Sequence, residues 1–250
     1  MQQVKTILIT GASRGIGRAA AILAGQKGWS VAVGYLADRT AAEAAVAAVT
    51  EAGGKAIAVQ GDVAVEPDVV SMFSEAATLG PLDGVVINAG VALGPPLPLA
   101  EIGVDRLRKV FDTNVLGAYL CAREAARRLS TRLGGHGGSI VLISSAVTRL
   151  GGPSEFVDYA GSKGAIDTLT IGLAKELGGE GVRVNAVRPG IIETEIHATG
   201  GQPDKARRVG ANTPLGRAGE AGEVAEAILW LLGDRASYVT GAILDVSGGR

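Results

Sequence analysis

The chain has little of the chemistry that marks secreted, metal-binding or membrane-embedded proteins. Its 250 residues contain one cysteine, Cys121, which cannot close an intramolecular disulfide, and two histidines, His136 and His197, which form no metal-ligand cluster. No apolar run reaches the roughly 18 residues that a membrane helix requires. The N-terminal "MQQVKTILIT" lacks the basic segment and cleavage site of a secretory signal. We therefore expect no metal site, no membrane association and a location in the reducing cytoplasm.

The chain also has almost no net charge. Its 24 lysines and arginines nearly balance 25 aspartates and glutamates, which gives a formal net charge of -1. Such a balance provides no overall field to attract nucleic acid, and we expect no nucleic-acid partner. The sequence lacks repeats and any linker rich in Pro, Ser or charge, so we expect one domain over residues 1–250.

What the sequence does contain is a series of short β-branched runs that alternate with longer, alanine-rich segments of helical period. Most of these runs carry little polarity, which suits a parallel sheet covered on both faces. We therefore predict an α/β fold, with a doubly wound parallel sheet of about seven strands and helices on both faces. The predicted strands are 4–10, 30–35, 55–60, 83–88, 139–144, 182–187 and 242–246.

Two segments interrupt this alternation. "GGHGG" (134–138) is expected to end one helix and turn into the following strand. Residues 191–215 are the longest stretch without a clear pattern, and a loop of this length in a compact domain is usually functional or disordered. We interpret it as a lid whose charged residues face either a ligand or the solvent. These residues are Glu193, Glu195, His197, Arg207 and Arg208.

The segment "TGASRGIG" (10–17) lies where the first predicted strand turns into the first helix. A glycine-rich turn there can place backbone N–H groups and a helix N-terminus against a pyrophosphate, with Gly11, Gly15 and Gly17 as the critical positions. The same glycines could instead serve only close strand-to-helix packing. On the pyrophosphate interpretation, the binding residues are Gly11, Ser13, Arg14, Gly15, Ile16 and Gly17.

Tyr159 and Lys163 lie four residues apart in "YAGSK". In a helix, residues at this spacing share a face, so the phenol and the ammonium can reach the same small volume. Taken alone, the pair could be a solvated lysine beside a half-buried tyrosine, because such surface pairs are common and contribute little stability. Motifs elsewhere in the chain are needed to choose between these interpretations.

Several motifs occur together in a specific order. The glycine turn has G-x-x-x-G-x-G spacing, "NAG" (88–90) follows the fourth predicted strand, and "RPG" (188–190) follows the sixth. Between the last two motifs lie Asn114, Ser145, Tyr159 and Lys163. Over nearly the whole chain this pattern resembles the short-chain dehydrogenase/reductase family, with Ile87 as a mild departure where that family has another asparagine. The likeness is greatest to 3-oxoacyl-carrier-protein reductases and glucose-dehydrogenase-like members, and it implies a Rossmann-like sheet.

The resemblance gives the Tyr159 and Lys163 pair a chemical meaning. Carbonyl reduction needs a proton donor for the oxygen, which gains negative charge in the transition state. Free tyrosine has a pKa of about 10, and a positive charge about 4 Å away shifts it by roughly three units at an effective dielectric of about 20. We therefore expect Lys163 to lower the pKa of Tyr159, and Ser145 to hydrogen-bond the substrate oxygen. The resemblance alone implies that Asn114 holds a water that passes protons toward Lys163.

Each of these residues also has a purely structural interpretation. Ser145 could cap a strand, Asn114 could cap a helix, and Tyr159 could be a packed aromatic. Ligands of parallel sheets bind at the carboxyl ends of the strands, where these polar residues are predicted to gather beside the glycine turn. Their convergence favours catalysis.

The end of the second predicted strand indicates the cofactor. An NAD enzyme of this fold usually places an acidic residue there for the ribose 2′-hydroxyl, whereas NADP needs cations around its 2′-phosphate. Tyr35 occupies approximately that position, and we predict that Arg14 and Arg39 flank a phosphate. The prediction is NADP, with NAD as the alternative if Asp38 reaches the ribose.

The resemblance implies further cofactor contacts. Asp62 and Val63, after the third predicted strand, are expected beside adenine, although Asp62 could instead cap a helix. The remaining expected contacts are Asn88, Ala89, Gly90, Tyr159, Lys163, Pro189, Gly190, Ile192 and Thr194.

Together these observations predict an NADP-dependent oxidoreductase that interconverts a ketone, or a sugar lactone, and a small-molecule alcohol. The alternatives are a nucleotide-sensing module without chemistry, an NAD-preferring sugar dehydrogenase, and a sugar-nucleotide epimerase, which generally needs a second domain. The predicted helical segments 100–133 and 158–178 carry more apolar face than one sheet surface uses, which suggests subunit packing. With the resemblance, this implies a homo-oligomer, commonly a tetramer.

Overall fold

The structure of the protein is a computed structural model that describes residues 4–195 and 201–250. Its strands are β1 (Thr6–Ile9), β2 (Ser30–Tyr35), β3 (Lys55–Gln60), β4 (Gly84–Ile87), β5 (Gly138–Ile143), β6 (Val182–Pro189) and β7 (Ile243–Val246). They form one sheet in the order β3-β2-β1-β4-β5-β6-β7, in which every neighbouring pair is parallel.

Helices connect the strands. The α-helices are α1 (Gly15–Gln26), α2 (Arg39–Glu51), α3 (Glu66–Ala76), α4 (Val104–Phe111), α5 (Gly117–Leu129), α6 (Val147–Leu150), α7 (Val157–Leu177), α8 (Lys205–Gly210) and α9 (Ala221–Leu232). A π-helical turn, Asp112–Leu116, joins α4 to α5. Short 3-10 turns cover Ala77–Leu79, Leu99–Glu101, Thr131–Leu133, Gly178–Glu180 and Asp234–Ala236.

Both faces of the sheet are buried because successive side chains of a strand point to opposite sides. In β1, Ile7 and Ile9 belong to a core cluster shared with α1, α2 and α9. Leu8, between them, belongs to a second cluster shared with α3, α5 and α7. This double covering explains why the strand sequences show no polar alternation, and it confirms the predicted doubly wound α/β fold.

All seven predicted strands are present, with ends that differ from the prediction by no more than two residues. The glycine segment 134–138 also behaves as predicted. Gly134 and Gly137 have φ angles of 94° and 86°, in the left-handed region, and β5 begins at Gly138. The predicted helix 100–133 is interrupted by the π-helical turn, and the irregular segment 191–215 contains α8.

Helix α8 was not predicted, because a helix of six residues is too short to show a periodic pattern. It turns only Ala206 and Gly210 toward the interior, and a Cβ atom at Gly210 would lie 2.3 Å from the backbone nitrogen of Ala218. His197 lies outside the described residues. Arg207 and Arg208 are exposed on α8, as is Glu195 before it.

The strand order reverses between β1 and β4. From β1 the chain proceeds outward to β2 and β3, and then crosses back to form β4 on the other side of β1. Such a switch point opens a crevice at the carboxyl ends of the two central strands, because their connections run to opposite faces. The crevice in this protein lies between the turn after β1 and the segment after β4.

The helices predicted to pack between subunits do carry exposed apolar side chains. Phe111, Leu116 and Tyr119 are 43–47% exposed along α4, the π-helical turn and α5, and Ile171 is exposed on α7. The oligomeric state stays a prediction. Within the described ranges, no helix has the length and apolar character to cross a membrane.

Candidate active site

A cleft of about 600 Å³ opens at the switch point. It takes in both chemical features of the sequence, the glycine turn and the Tyr159 and Lys163 pair. Among the predicted site residues, three do not line it, namely Gly17, Arg39 and Asn114. Those that line it are Gly11, Ser13, Arg14, Gly15, Ile16, Asp62, Val63, Asn88, Ala89, Gly90, Ser145, Tyr159, Lys163, Pro189, Gly190, Ile192 and Thr194.

The glycine turn owes its shape to positions that only glycine fills without strain. Gly11 and Gly15 have φ angles of 64° and 56°, in the left-handed region. A Cβ atom at Gly17 would lie 2.5 Å from the Gly11 carbonyl oxygen and 2.6 Å from Nδ2 of Asn88. The Arg14 side chain, which precedes α1, does not cap that helix, so its first N–H groups remain available at the cleft.

Hydrogen bonds between Thr10 and Asn88 join the ends of β1 and β4. The Asn88 side-chain amide donates to the carbonyl oxygens of Thr10 and Gly11, each over 2.9 Å. In return, the Thr10 hydroxyl accepts from the backbone N–H groups of Asn88 and Ala89, each over 3.0 Å. Asn88 therefore holds the glycine turn in position, whereas its contact with a cofactor stays a prediction.

Tyr159, Lys163 and Ser145 come together in the cleft. Tyr159 lies in the first turn of α7, and Ser145, two residues beyond β5, hydrogen-bonds to its phenol. Lys163 is 4% exposed, and its Nζ lies 5.8 Å from the centroid of the Tyr159 ring. The same Nζ donates a 2.7 Å hydrogen bond to the backbone oxygen of Ile143. The fold thus brings these three residues together, and their catalytic roles stay a prediction.

Burial dominates the acid–base properties of this cluster. It raises the pKa of Tyr159 to about 12, against the opposing effect of the Ser145 hydrogen bond. It lowers the pKa of Lys163 to about 8, against the opposing charge of Asp167. We expected Lys163 to lower the pKa of Tyr159, but burial raises it, because desolvation disfavours the charged form of each group. The phenol is therefore protonated and the lysine mostly charged at neutral pH.

Asn114 lies in the π-helical turn, beside Lys163 but outside the cleft lining. Its Oδ1 accepts from the Val91 N–H over 2.7 Å, and its Nδ2 donates to the Val91 carbonyl and to the Ser162 hydroxyl. A Cβ atom at Gly90 would lie 3.2 Å from that Oδ1 and 3.3 Å from Lys163 Nζ. Asn114 thus anchors the loop after β4, and the π-helical turn that presents it is a feature often found at functional sites.

Sequence reasoning missed a buried polar network beneath Lys163. Asp167 accepts a 2.6 Å hydrogen bond from the Ser144 hydroxyl and pairs with Arg188, whose Nη2 lies 2.8 Å from its carboxylate. Asp167 follows Lys163 by four residues on α7, so the helical spacing of two opposite charges was the available signal. Arg188 was visible only as the first residue of the "RPG" motif.

At the opposite end of the cleft, the loops after β2 and β3 form the wall. Asp62 does not cap α3. Its carboxylate accepts from the Ala64 N–H over 2.9 Å and lies 3.9 Å from Lys109 Nζ. Asp38 caps α2 by accepting from the Ala41 N–H. Arg39 is the first residue of α2, and its guanidinium lies 3.8 Å from Glu43, outside the cleft lining.

The segment after β6 closes the side of the cleft that faces the glycine turn. A Cβ atom at Gly15 would lie 3.5 Å from the Thr194 methyl group, so Thr194 lies directly against the turn. At Gly190 a Cβ atom would clash with Ser247, at 2.6 Å from its Cα. Ile192 forms an isolated parallel bridge with Gly219. These contacts bring the predicted nicotinamide segment beside the turn.

Near the end of the cleft beyond Tyr159, two ion pairs involve residues that no local sequence pattern had indicated. Arg106 donates to both carboxylate oxygens of the buried Asp158, over 2.7 and 3.0 Å. Lys205 donates over 2.7 Å to Glu155 and lies 4.5 Å from the centroid of the Phe156 ring. Because these partners are about 50 residues apart, only the folded chain brings them together.

A glycine turn at a switch point, with a serine, a tyrosine and a lysine clustered beside it, defines the class of oxidoreductases that use a nicotinamide dinucleotide. A family model described as "Enoyl-(Acyl carrier protein) reductase" matches residues 11–250. The chain belongs to the short-chain dehydrogenase/reductase family. It is an NAD(P)-dependent dehydrogenase/reductase, as the sequence motifs predicted.

Similar proteins extend over nearly the whole chain. The "Uncharacterized oxidoreductase YgfF" of Escherichia coli (strain K12) is 50% identical over 97% of this chain and 98% of its own length. The "L-rhamnose 1-dehydrogenase (NAD(P)(+))" of Sphingomonas sp. (strain SKA58) is 41% identical over 98% and 95%. A crystal structure of a dehydrogenase/reductase from Sinorhizobium meliloti 1021 superposes with a TM-score of 0.88 at 33% identity, covering 98% of this chain and 94% of that one.

The crowding at Gly17 predicts a strong effect on dinucleotide binding. In Gly17→Ala the added methyl group must displace the Gly11 carbonyl or the Asn88 amide, so we expect the affinity for the dinucleotide to fall about tenfold or more. Gly222→Ala is the matched control, since it makes the same change in the first turn of α9, where a Cβ atom meets nothing within 4 Å. Fluorescence titration with the reduced dinucleotide measures both. Equal affinities in the two variants would contradict the proposed role of the turn.

Proposed function

We propose that the protein is an NADP-dependent oxidoreductase that interconverts a ketone, or a sugar lactone, and an alcohol, with Tyr159 as the general acid and base. The observation that carries this proposal is the meeting of Tyr159, Ser145 and Lys163 in one cleft with the glycine turn. A sugar or diol substrate is supported by the 41% identical relative that is named an L-rhamnose 1-dehydrogenase.

The cleft fits a nicotinamide dinucleotide. A side chain at Gly17 would fill the space in which turn and helix meet, and the uncapped start of α1 offers N–H groups to a pyrophosphate. Asp62 and Val63 would hold the adenine end, and Thr194, beside Gly15, would hold the nicotinamide end. When bound, the dinucleotide supplies or accepts the hydride.

The clustered side chains control the proton. In carbonyl reduction the substrate oxygen gains negative charge, and the Ser145 hydroxyl stabilises that charge by donating a hydrogen bond. Tyr159, which a pKa of about 12 keeps protonated at neutral pH, transfers its phenolic proton to the same oxygen. The Lys163 ammonium stabilises the phenolate that remains. It donates to the Ile143 carbonyl and so keeps further N–H groups for the ribose of the cofactor.

Two of the alternative functions fit the structure less well than the proposed one. A nucleotide-sensing module would not need Ser145, Tyr159 and Lys163 in one cluster, and their buried arrangement argues against it. An epimerase acting on a sugar nucleotide generally needs a second domain, whereas the described residues of this chain form one sheet and its helices. The reaction with an alcohol or carbonyl substrate is therefore the proposal that the site supports best.

Preference for NADP rests on the charges near the end of β2. Tyr35 lies there, and the Asp38 carboxylate is occupied in capping α2. Arg14 lines the cleft with an exposed guanidinium that forms no ion pair with any other described residue. A free guanidinium can bind a 2′-phosphate through charge-assisted hydrogen bonds. Arg39 stays a predicted second contact.

We expect Arg14→Ala to lower the affinity for NADP(H) by about tenfold while changing that for NAD(H) much less, since each charge-assisted hydrogen bond contributes roughly 1.5–3 kcal/mol. Titration of both cofactors measures the ratio. Arg39→Ala, a loss of charge outside the cleft lining, is the comparison: if it leaves the ratio unchanged, Arg39 is not a phosphate ligand. Tighter binding of NAD(H) than NADP(H) by the native protein would overturn the preference.

Removal of the Tyr159 hydroxyl tests the acid–base role. Tyr159→Phe is expected to reduce kcat by about 10²- to 10⁴-fold, with nearly unchanged cofactor affinity, because the proton donor acts mainly in the transition state. Tyr238→Phe, at a fully exposed tyrosine, is the matched control. Steady-state rates with any accepted substrate provide the measurement. A Tyr159→Phe variant that keeps more than about a tenth of the native kcat would exclude the role.

The depressed pKa of Lys163 predicts a pH dependence. Carbonyl reduction uses the charged lysine, so kcat should fall as the pH rises through about 8, where Lys163 loses its proton and Tyr159 is still protonated. Asp167 raises the pKa of Lys163, and Asp167→Asn should therefore move the fall in rate to lower pH. Asp245→Asn removes another carboxylate near Arg188 and should leave the profile in place. Coincident profiles of native protein and Asp167→Asn would refute the assignment.

A further inference from the structure

The cleft beyond Tyr159 has a polar wall that the proton-transfer chemistry does not use. We define the distal wall as Glu155, Gln202 and Lys205, all of which line the same cleft as Tyr159 and Ser145. Glu155 lies just before α7, which carries Tyr159 in its first turn, while Gln202 lies shortly before α8 and Lys205 is its first residue. A substrate whose reacting carbon lies at Tyr159 would extend toward this wall.

Lys205 and Glu155 form an ion pair in the wall. Lys205 Nζ donates to Glu155 Oε2 over 2.7 Å, with 16% of the lysine side chain and 44% of the glutamate side chain exposed. The hydrogen bond from Lys205 lowers the pKa of Glu155, so the glutamate is ionised at neutral pH. The pair leaves N–H donors on the ammonium and one acceptor oxygen on the carboxylate for a ligand.

Gln202 adds an incompletely bonded amide. Its Oε1 accepts a 2.6 Å hydrogen bond from Arg208, whereas its Nε2 is buried without a hydrogen-bond partner in the described part of the chain. Buried amide donors are nearly always paired, and an unpaired one is unfavourable. A hydroxyl oxygen of a bound ligand would satisfy it, which makes Gln202 an independent sign that a ligand binds here.

The mixture of groups distinguishes between classes of substrate. A hydroxyl group both donates and accepts, and therefore matches a wall that offers the Gln202 and Lys205 N–H groups beside the Glu155 carboxylate. Glu155 would repel a carboxylate substrate. The nearest cation, Lys205, is already paired with Glu155, which neutralises its charge. Arg250 also lines the cleft and Arg208 lies near it, but both side chains are exposed to solvent, which screens their charge.

We propose that the distal wall selects a neutral polyhydroxylated substrate, a sugar or polyol, by hydrogen bonds from Gln202 and Lys205 and to Glu155. Apolar side chains of the cleft, among them Leu93, Leu150 and Phe156, cover the C–H groups between the hydroxyls. This inference rests on the proposed oxidoreductase function and adds the substrate class and the residues that determine it.

The test compares three alcohols that share a secondary carbinol, namely a neutral aldohexose, a hydroxy acid and cyclohexanol. We expect the native protein to oxidise the aldohexose with the highest kcat/KM. Gln202→Leu and Lys205→Met should each raise KM for the aldohexose about tenfold, leave its kcat within about twofold, and hardly change kcat/KM for cyclohexanol. Arg207→Met, at a side chain 87% exposed on the same helix, is the matched control for Lys205→Met. Circular dichroism verifies that each variant is folded.

Glu155→Gln tests the discrimination against acids. It removes the negative charge beside Lys205, so the ratio of kcat/KM for the hydroxy acid to that for the aldohexose should rise about tenfold. A thermal shift of the protein by the aldohexose, absent in Gln202→Leu, provides a readout independent of turnover. A native preference for the hydroxy acid, or unchanged KM values in both Gln202→Leu and Lys205→Met, would overturn the wall proposal while leaving the oxidoreductase function intact. Turnover of none of the three alcohols with either cofactor would instead contradict the proposed function itself.

Discussion

The close approach of β1 and β4 at the switch point is the constraint on which the site depends. Asn88 bonds two carbonyl oxygens of the glycine turn, and the missing side chain of Gly17 allows the contact. The segment that follows Asn88 leads to Gly90, where a Cβ atom would lie 3.3 Å from Lys163 Nζ. The same short connection therefore joins the glycine turn to the surroundings of Lys163.

Burial at this position has opposite consequences for the two ionisable groups. It raises the pKa of Tyr159, which keeps the phenol protonated, and it lowers the pKa of Lys163, which makes the ammonium easier to deprotonate. Both shifts arise because a charge is unfavourable where water is excluded. In the proposed reaction, a protonated phenol beside the Lys163 ammonium can donate its proton to the substrate oxygen. Asp167, held by Ser144 and Arg188, limits the loss of charge from Lys163.

The sequence predicted the strands, the glycine turn and the Ser145, Tyr159 and Lys163 cluster because their signals are local. Apolar runs identify buried strands, positive φ requires glycine, and a spacing of four places Tyr159 and Lys163 on one helix face. The π-helical turn at Asn114 had no such signal, since it depends on bonds with Val91 and Ser162. The sign of the Tyr159 pKa shift was also beyond a charge-counting argument, because desolvation depends on the packing of the whole cleft.

The proposed substrate selection and the proposed proton transfer both depend on residues at the start of α7. Glu155 and Phe156 contact Lys205 of α8, while Asp158 is held by Arg106, and Tyr159 follows immediately. A polar group that binds the distal wall therefore contacts the same short segment that orients the phenol. Arg106 also donates to the carbonyl of Pro95, in the loop after β4, and the Leu97 N–H of the same loop donates to the Glu155 carbonyl, so the wall is connected to that loop. The proposed chemistry at the strand ends and the proposed recognition at the distal wall are thus linked by contacts between segments far apart in sequence.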